Sequence, residues 1–370
     1  MSRSGVHSMA GVHDVDDSCN SSVPYRHKES DEESDDEQLA AGAAVYGILP
    51  PPVQTGDRVS IVAPSGAVNK NILQFGCEIL KQWGLQPVVD DRVGEEWAYL
   101  AGPDEHRAQA LVDAFNDPTT KAVICAGGGY GSTRILLLLS QSGLHENALQ
   151  KKRFFGFSDI TALHSFCRLL LPGYISFHSP MIASSYFRKG TDESRRALKL
   201  ALFQRRLSSA CPTLQGCCYT RLQTGNAAES GGKVQGVLVG GNLSLIAALV
   251  GTPWQEELSG KILFLEDVDE ASYRVDRMVM QLVTSTGGRL FQDLAGLVLG
   301  HFGPPREGGR GPPVDSMFWF EMIGLPPSLP VLHEIPVGHI LDNRVLPLGA
   351  VVEMDLDKAQ LKVVEQVELS

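Results

Sequence analysis

The chain has 370 residues, 43% hydrophobic and 20% charged, with a formal net charge of −11, enough length and apolar content for two domains with buried cores. Ten of its acids and three of its bases fall within residues 1–45, a net of −7, so the remainder carries −4. A folded part so weakly acidic offers no basic face to a phosphate backbone, which argues against nucleic acid as a partner.

Residues 1–45 are polar, serine-rich and acidic and read as a disordered tail. Within it, Ser30 and Ser34 each precede an acidic triplet, a pattern that suits either an acid-directed kinase or plain solubility. From Asp57 the pattern alternates between strand and helix: strand 58–63, amphipathic helix 70–83, strand 86–90, helix 105–115, strand 121–126, then Gly127-Gly128-Gly129-Tyr130-Gly131-Ser132 and a helix from Arg134. Such alternation predicts a mainly parallel α/β domain of the Rossmann or flavodoxin-like kind, here 46–187, with its sites beyond the C-terminal strand ends. Between 188 and 232 the periodicity decays into a polar stretch that reads as an inter-domain connection. A β-rich α+β domain is expected over 233–370: strand 234–239, helix 243–250, strand 261–265, helix 273–283, strand 295–299 and turn-punctuated strands over 345–364. The active site is expected at the interface of the two domains.

No apolar run is long enough to span a bilayer, and the N-terminus resembles neither a secretory signal nor a transit peptide. Seven cysteines without a Cys-x-x-Cys pair suit a reducing compartment, and a cytoplasmic protein is expected.

Phe154-Phe155-Gly156-Phe157-Ser158-Asp159-Ile160-Thr161 is the segment richest in chemistry. An apolar run stops at glycine and a serine opens an amphipathic stretch, which is how a strand-to-helix turn presents a nucleophile; Ser158 and Asp159 also read as ordinary N-cap residues. Gly127 and Gly129 begin a dinucleotide-type glycine pattern, but Ser132 holds its third place, so an oxidoreductase ranks last. Glycines beside a nucleophile serve better as part of an oxyanion hole.

A serine nucleophile needs a base and the base an orienting group. Of the histidines after the tail, His106 and His145 lie in polar context and His164 in an apolar one, where packing is the commoner fate. His178, in the turn Phe177-His178-Ser179-Pro180, lines a pocket in one reading, and His301, His333 and His339 lie in the second domain. His339 stands out because Gly338-His339 precedes no regular element and so sits on a loop able to face another domain. Glu266 ends the apolar run 262–265, where a carboxylate is costly unless paired; an ion pair with Arg274 or Arg277 is the structural alternative. Absence of a Cys/His cluster gives no reason to expect a metal.

Taken in order, these segments resemble the LD-carboxypeptidase family of Ser-Glu-His peptidases, which includes murein tetrapeptide carboxypeptidases and microcin C self-immunity hydrolases. The resemblance is carried by Ser60-Ile61-Val62-Ala63-Pro64-Ser65-Gly66, Gly128-Gly129-Tyr130-Gly131 with Arg134, and Gly156-Phe157-Ser158-Asp159-Ile160-Thr161-Ala162-Leu163. It continues through Gly240-Gly241-Asn242-Leu243-Ser244, Gly251-Thr252-Pro253-Trp254, Leu265-Glu266-Asp267, Gly338-His339 and Leu346-Pro347-Leu348-Gly349. It implies Ser158 as nucleophile, Glu266 as acid and His339 as base, with the N–H groups of Gly128 and Asp159 as oxyanion hole. Tyr130, Arg134, His178 and Asn242 become candidates for contact with substrate. The implied substrate is a small peptide ending in a D-residue, of the murein tetrapeptide kind; the implied protein is a homodimer needing no metal or cofactor. Gly127 and Ser179 depart from the family pattern at positions that would adjoin substrate. A peptidyl-nucleotide amide is the alternative target, and a catalytically silent relative that binds a peptide or a partner is the alternative class.

Overall fold

The computed structural model describes residues 47–219, 232–305, 320 and 322–364. The acidic tail with Ser30 and Ser34 lies outside these residues, as does part of the expected connection. Five strands, β1 (Arg58–Val62), β2 (Gln86–Val89), β3 (Thr120–Cys125), β4 (Arg153–Gly156) and β5 (Ser176–His178), pair in parallel in the order β2-β1-β3-β4-β5. A strand buried on both faces carries apolar side chains to each: in β4, Phe155 packs into one core and its neighbour Phe154 into the other, while buried Arg153 at its start donates to the carbonyls of Pro50 and Ala201. Helices Lys70–Gln82, Asp104–Asn116, Ser132–Gln141 and Thr161–Leu170 cover those faces. Asn69 starts the first of them by accepting from the backbone N–H of Asn71 and Ile72, and its buried face is Gly76, Cys77 and Leu80. β3 returns on the opposite side of β1 from β2, so the chain order reverses at β1, and the loops after β1 and β3 meet at the C-terminal strand ends, where Gly66 N–H donates to Gly128 O.

The stretch that reads as a structureless connection begins with more order than its polarity suggests. Thr191 caps a helix, Asp192–Phe203, by accepting from Ser194 N–H, and its Ala197, Leu198, Ala201 and Leu202 bury into the first core. Those positions do recur at helical spacing; Arg195 and Arg196 before them and Lys199 between them hide the signal. A short helix, Leu207–Ala210, and strands β6 (Leu214–Gln215) and β7 (Cys217–Cys218) follow.

The second sheet combines these with β8 (Lys233–Asn242), β9 (Ile262–Asp269), β10 (Gly296–Pro305) and β11 (Val331–His333), then, after β12 (Leu346–Leu348), with β13 (Val351–Asp355) and β14 (Gln360–Val363). Its order is β6-β14-β13-β8-β9-β10-β11-β7. Neighbours from β8 to β11 are parallel, with helices Leu243–Leu249 and Ser272–Ser285 as crossovers, while the flanking strands are antiparallel. β12 instead joins the first sheet, antiparallel to β5 through Leu346 and His178. Both sheets belong to one compact unit.

A buried ion pair links the helix Thr161–Leu170 to the segment after the helix Leu243–Leu249. Arg168 Nε donates to Glu256 Oε2 at 2.8 Å, its Nη2 pairs with Oε1, and Ser165 Oγ donates to the same Oε1. Burial works to raise the Glu256 pKa, but the guanidinium and the hydroxyl outweigh it and hold the carboxyl below its ordinary value. Removing one partner strands a charge, so Arg168→Met is expected to cost about 3–5 kcal/mol in urea unfolding, and Arg168→Met/Glu256→Leu to recover most of that. Equal midpoints for the single variant and the wild type would contradict a buried pair.

Candidate active site

Ser158 stands on a sharp turn. β4 ends at Gly156, Phe157 stays extended, and Ser158 takes a left-handed φ of 61° before the 3-10 turn Ser158–Ile160 leads into the helix Thr161–Leu170. A left-handed backbone on a residue with a Cβ costs roughly 1–2 kcal/mol and persists only where the surroundings impose it. Those surroundings are tight: a Cβ at Gly156 would lie 2.7 Å from the Ile160 side chain, and one at Gly128 would lie 3.5 Å from Ser158 Oγ and 3.0 Å from Met181. Glycine at 156 lets the elbow close, and Gly128 sets the glycine loop in van der Waals contact with the serine. Asp159, 1% exposed, then reaches across to the loops after β1 and β3. Its Oδ2 accepts from Ser65 Oγ (2.5 Å) and Ser132 N–H (2.8 Å), and Ser132 Oγ donates back to its carbonyl. Asp159 therefore caps the neighbouring helix Ser132–Gln141 rather than its own.

Glu266 lies within β9, between β8 and β10, and is fully buried. Its Oε2 is 2.7 Å from His339 Nδ1, and His339 Nε2 is 3.0 Å from Ser158 Oγ, across 181 residues of sequence. With Nδ1–H donating to the carboxylate, the neutral ring leaves Nε2 to accept the hydroxyl proton. Gly338 makes the approach possible: its φ is 118°, and a Cβ there would strike Glu266 Oε2 at 2.8 Å. Asn343 Oδ1 accepts from Gly338 N–H and steadies the loop. Phe157 and Tyr186 flank the imidazole at 4.8 and 5.5 Å between ring centres.

The electrostatics follow from burial and pairing. Burial pushes both partners toward neutrality, yet the imidazole holds the Glu266 carboxyl below its ordinary value, and Glu266, helped by Asp267 and Asp269, raises His339. Asp267, the next residue, is pushed up to about 6 by burial and by the Glu266 charge, although Ser244 and Asn242 donate to it. This constellation pairs an exposed-side hydroxyl with a base and an orienting carboxylate, which is the equipment of acyl transfer.

The other candidates divide. Tyr130 is 48% exposed beside the glycine loop, with Tyr99 at 5.9 Å between ring centres, and Arg134 holds Asp104 through two hydrogen bonds. His178 and Asn242, expected to touch substrate, are both buried. His178 is fully buried edge-on to Phe157 and Phe264, and burial lowers its pKa to about 4. Asn242 is 3% exposed and turns inward, donating to Glu266 Oε1 (3.3 Å) and Asp267 Oδ1 (3.0 Å). His164 packs internally between Ser176 Oγ and Gly156 O, and Arg274 bonds to Glu270, so neither enters the constellation. Among the described residues no group of three or more His, Cys, Asp or Glu side chains is arranged to hold a metal ion, and no helix is long and apolar enough to cross a membrane.

Comparison with known proteins agrees along both halves. Residues 59–179 match the model of the LD-carboxypeptidase N-terminal domain and residues 235–354 that of the C-terminal domain. The murein tetrapeptide carboxypeptidase of Pseudomonas aeruginosa is 31% identical over 302 residues, covering 79% of this chain and 91% of its own. The microcin C7 self-immunity protein MccF of Escherichia coli is 26% identical over 343 residues, covering 87% and 97%. The crystal structure of muramoyltetrapeptide carboxypeptidase from Oxalobacter formigenes superposes with a TM-score of 0.67 at 28% identity, over 85% of this chain and all of that one.

Proposed function

The chain belongs to the LD-carboxypeptidase family of serine-type peptidases, and from that premise we propose that it removes a C-terminal D-amino acid from a murein tetrapeptide-like substrate. The observation that carries this reading is the unbroken hydrogen-bond line from Ser158 through His339 to buried Glu266. In it, Ser158 Oγ attacks the carbonyl carbon of the last peptide bond as its proton passes to His339 Nε2. The oxyanion takes the N–H groups of Gly128 and Asp159, and Glu266 holds the Nδ1–H tautomer and stabilises the imidazolium. As the carbon–nitrogen bond breaks, the imidazolium gives its proton to the departing amine. Water, deprotonated by His339, then attacks the acyl-enzyme and restores the serine. A silent binding relative has no need of all three groups in contact. The reading also includes a homodimer and a cytoplasmic location.

The test is release of D-alanine from an L,D-linked tetrapeptide, with an L,L-linked isomer as control. Release from the L,D isomer alone is expected. If both stay intact while an aminoacyl sulfamoyl nucleoside is cleaved, the substrate is of the kind bound in the MccF structures. A pH profile gives a second check. His339 must be neutral to act as base, and its raised pKa places the acid-side midpoint of kcat/KM above the ordinary histidine value of about 6.5. A midpoint below that value would contradict the Glu266–His339 pairing.

A further inference from the structure

The proposed oxyanion donors come from different loops: Gly128 follows β3 and Asp159 follows β4. Donors that act together must keep their spacing to within about 0.5 Å, so something beneath them has to join the two loops. Asp159 is joined to the glycine loop through Ser132 and to the loop after β1 through Ser65, and beneath those two loops lies Arg107 of the helix Asp104–Asn116, 1% exposed. Its Nη1 donates to Pro64 O (2.5 Å) in the loop after β1 and to Gly131 O (2.9 Å) in the glycine loop, and its Nε donates to Gly102 O (3.3 Å). Nη2 pairs with Asp104, which also takes two bonds from Arg134, so the buried cation is compensated. A Cβ at Gly131, where φ is 132°, would lie 2.7 Å from Arg107 Nη1; that glycine makes room for the guanidinium.

The residues next to those carbonyls are the ones that grip Asp159. Ser65 follows Pro64 and donates to the Asp159 carboxylate; Ser132 follows Gly131 and donates to it through its N–H. Gly66 N–H, one residue further on, donates to Gly128 O at 3.0 Å. Arg107 thus holds, one residue away on each side, the two loops that fix both donors.

We infer that Arg107 is a positioning residue for the oxyanion hole, acting through Pro64 and Gly131 on Gly128 and Asp159. The inference rests on the serine-nucleophile reading but not on any particular substrate. A lysine keeps the charge and loses the planar fork that reaches three carbonyls from one side chain. The experiment measures the rate at which a fluorophosphonate labels Ser158: phosphorus bonds to Oγ, fluoride leaves, and the hydroxyl proton passes to His339. Arg107→Lys is expected to be labelled about 10- to 100-fold more slowly, with full final labelling and an unchanged pH midpoint. Labelling at the wild-type rate overturns the inference. A purely structural defect would instead lower the labelled fraction, and this too counts against it. Should Arg107→Lys not fold, Ser65→Ala cuts the same path one residue beyond Pro64 by removing the hydroxyl bond to the Asp159 carboxylate, and an unchanged rate there overturns it equally. A wild-type protein that takes no label defeats the nucleophile reading itself.

Discussion

Ser158→Ala is expected to lower kcat by roughly 10⁵- to 10⁶-fold while leaving the protein folded and able to bind peptide. Only Oγ is lost, and the hydroxyl is half-buried and bonded on one side to His339 Nε2. Residual turnover would come from the remaining base, the oxyanion donors and binding. The strained backbone adds a second readout. Alanine at φ 61° keeps the strain, whereas Ser158→Gly relieves it, so the glycine variant should match or exceed the alanine variant in thermal stability by about 1 kcal/mol despite its extra chain entropy. Both should be inactive. An active glycine or alanine variant, measured by D-alanine release, would remove Ser158 from the chemistry.

Glu266→Gln is expected to lower kcat by about 10⁴-fold. The change preserves shape, and Asn242 Nδ2 can still donate to the amide oxygen, so the site should stay assembled. What changes is the proton. An amide N–H facing His339 Nδ1 favours the tautomer that carries its hydrogen on Nε2, where Ser158 needs an acceptor. Glu266 is also the first cause that raises His339, so the acid-side midpoint of the pH profile should move down. The linkage has a stability side. A raised histidine pKa contributes stability that is complete below the unfolded value of about 6.5 and is lost as pH rises through the folded value, so the wild type's advantage over Glu266→Gln should shrink above neutrality. Asp267→Asn is the control: Asp267 bonds to Asn242, Ser244 and Val268 N–H, and its loss should cost far less in kcat. Equal effects of the two substitutions would mean that the carboxylates act by charge and not by contact with His339.

The features that could be foreseen were those written locally. An apolar run, a glycine and a serine before an amphipathic stretch describe an elbow whose bend follows from backbone sterics, and Glu266 declared itself as a carboxylate ending an apolar strand. Partners far apart in sequence were out of reach. Asp159 read as a cap for its own helix, but it caps a helix whose first residue lies 27 positions earlier and binds Ser65 from 94 positions away. Arg107 carries no local signal, because nothing near it in sequence records that its acceptors are carbonyls of three loops. His178 and Asn242 carry ordinary site chemistry in their side chains, and only packing shows that both point inward, one against Phe157 and Phe264, the other onto Glu266. β12 crossing to the first sheet is likewise a pairing that no periodicity encodes.

Acylation of Ser158 during turnover can be seen directly by quenching the protein in acid within its first turnover of an L,D-tetrapeptide and mapping the adduct by mass spectrometry. The expected result is the mass of the tripeptide acyl group on the peptide that contains Ser158, its absence from Ser158→Ala, and one D-alanine released per adduct. D-alanine released by Ser158→Ala at the wild-type rate, or an adduct on another residue, would contradict it.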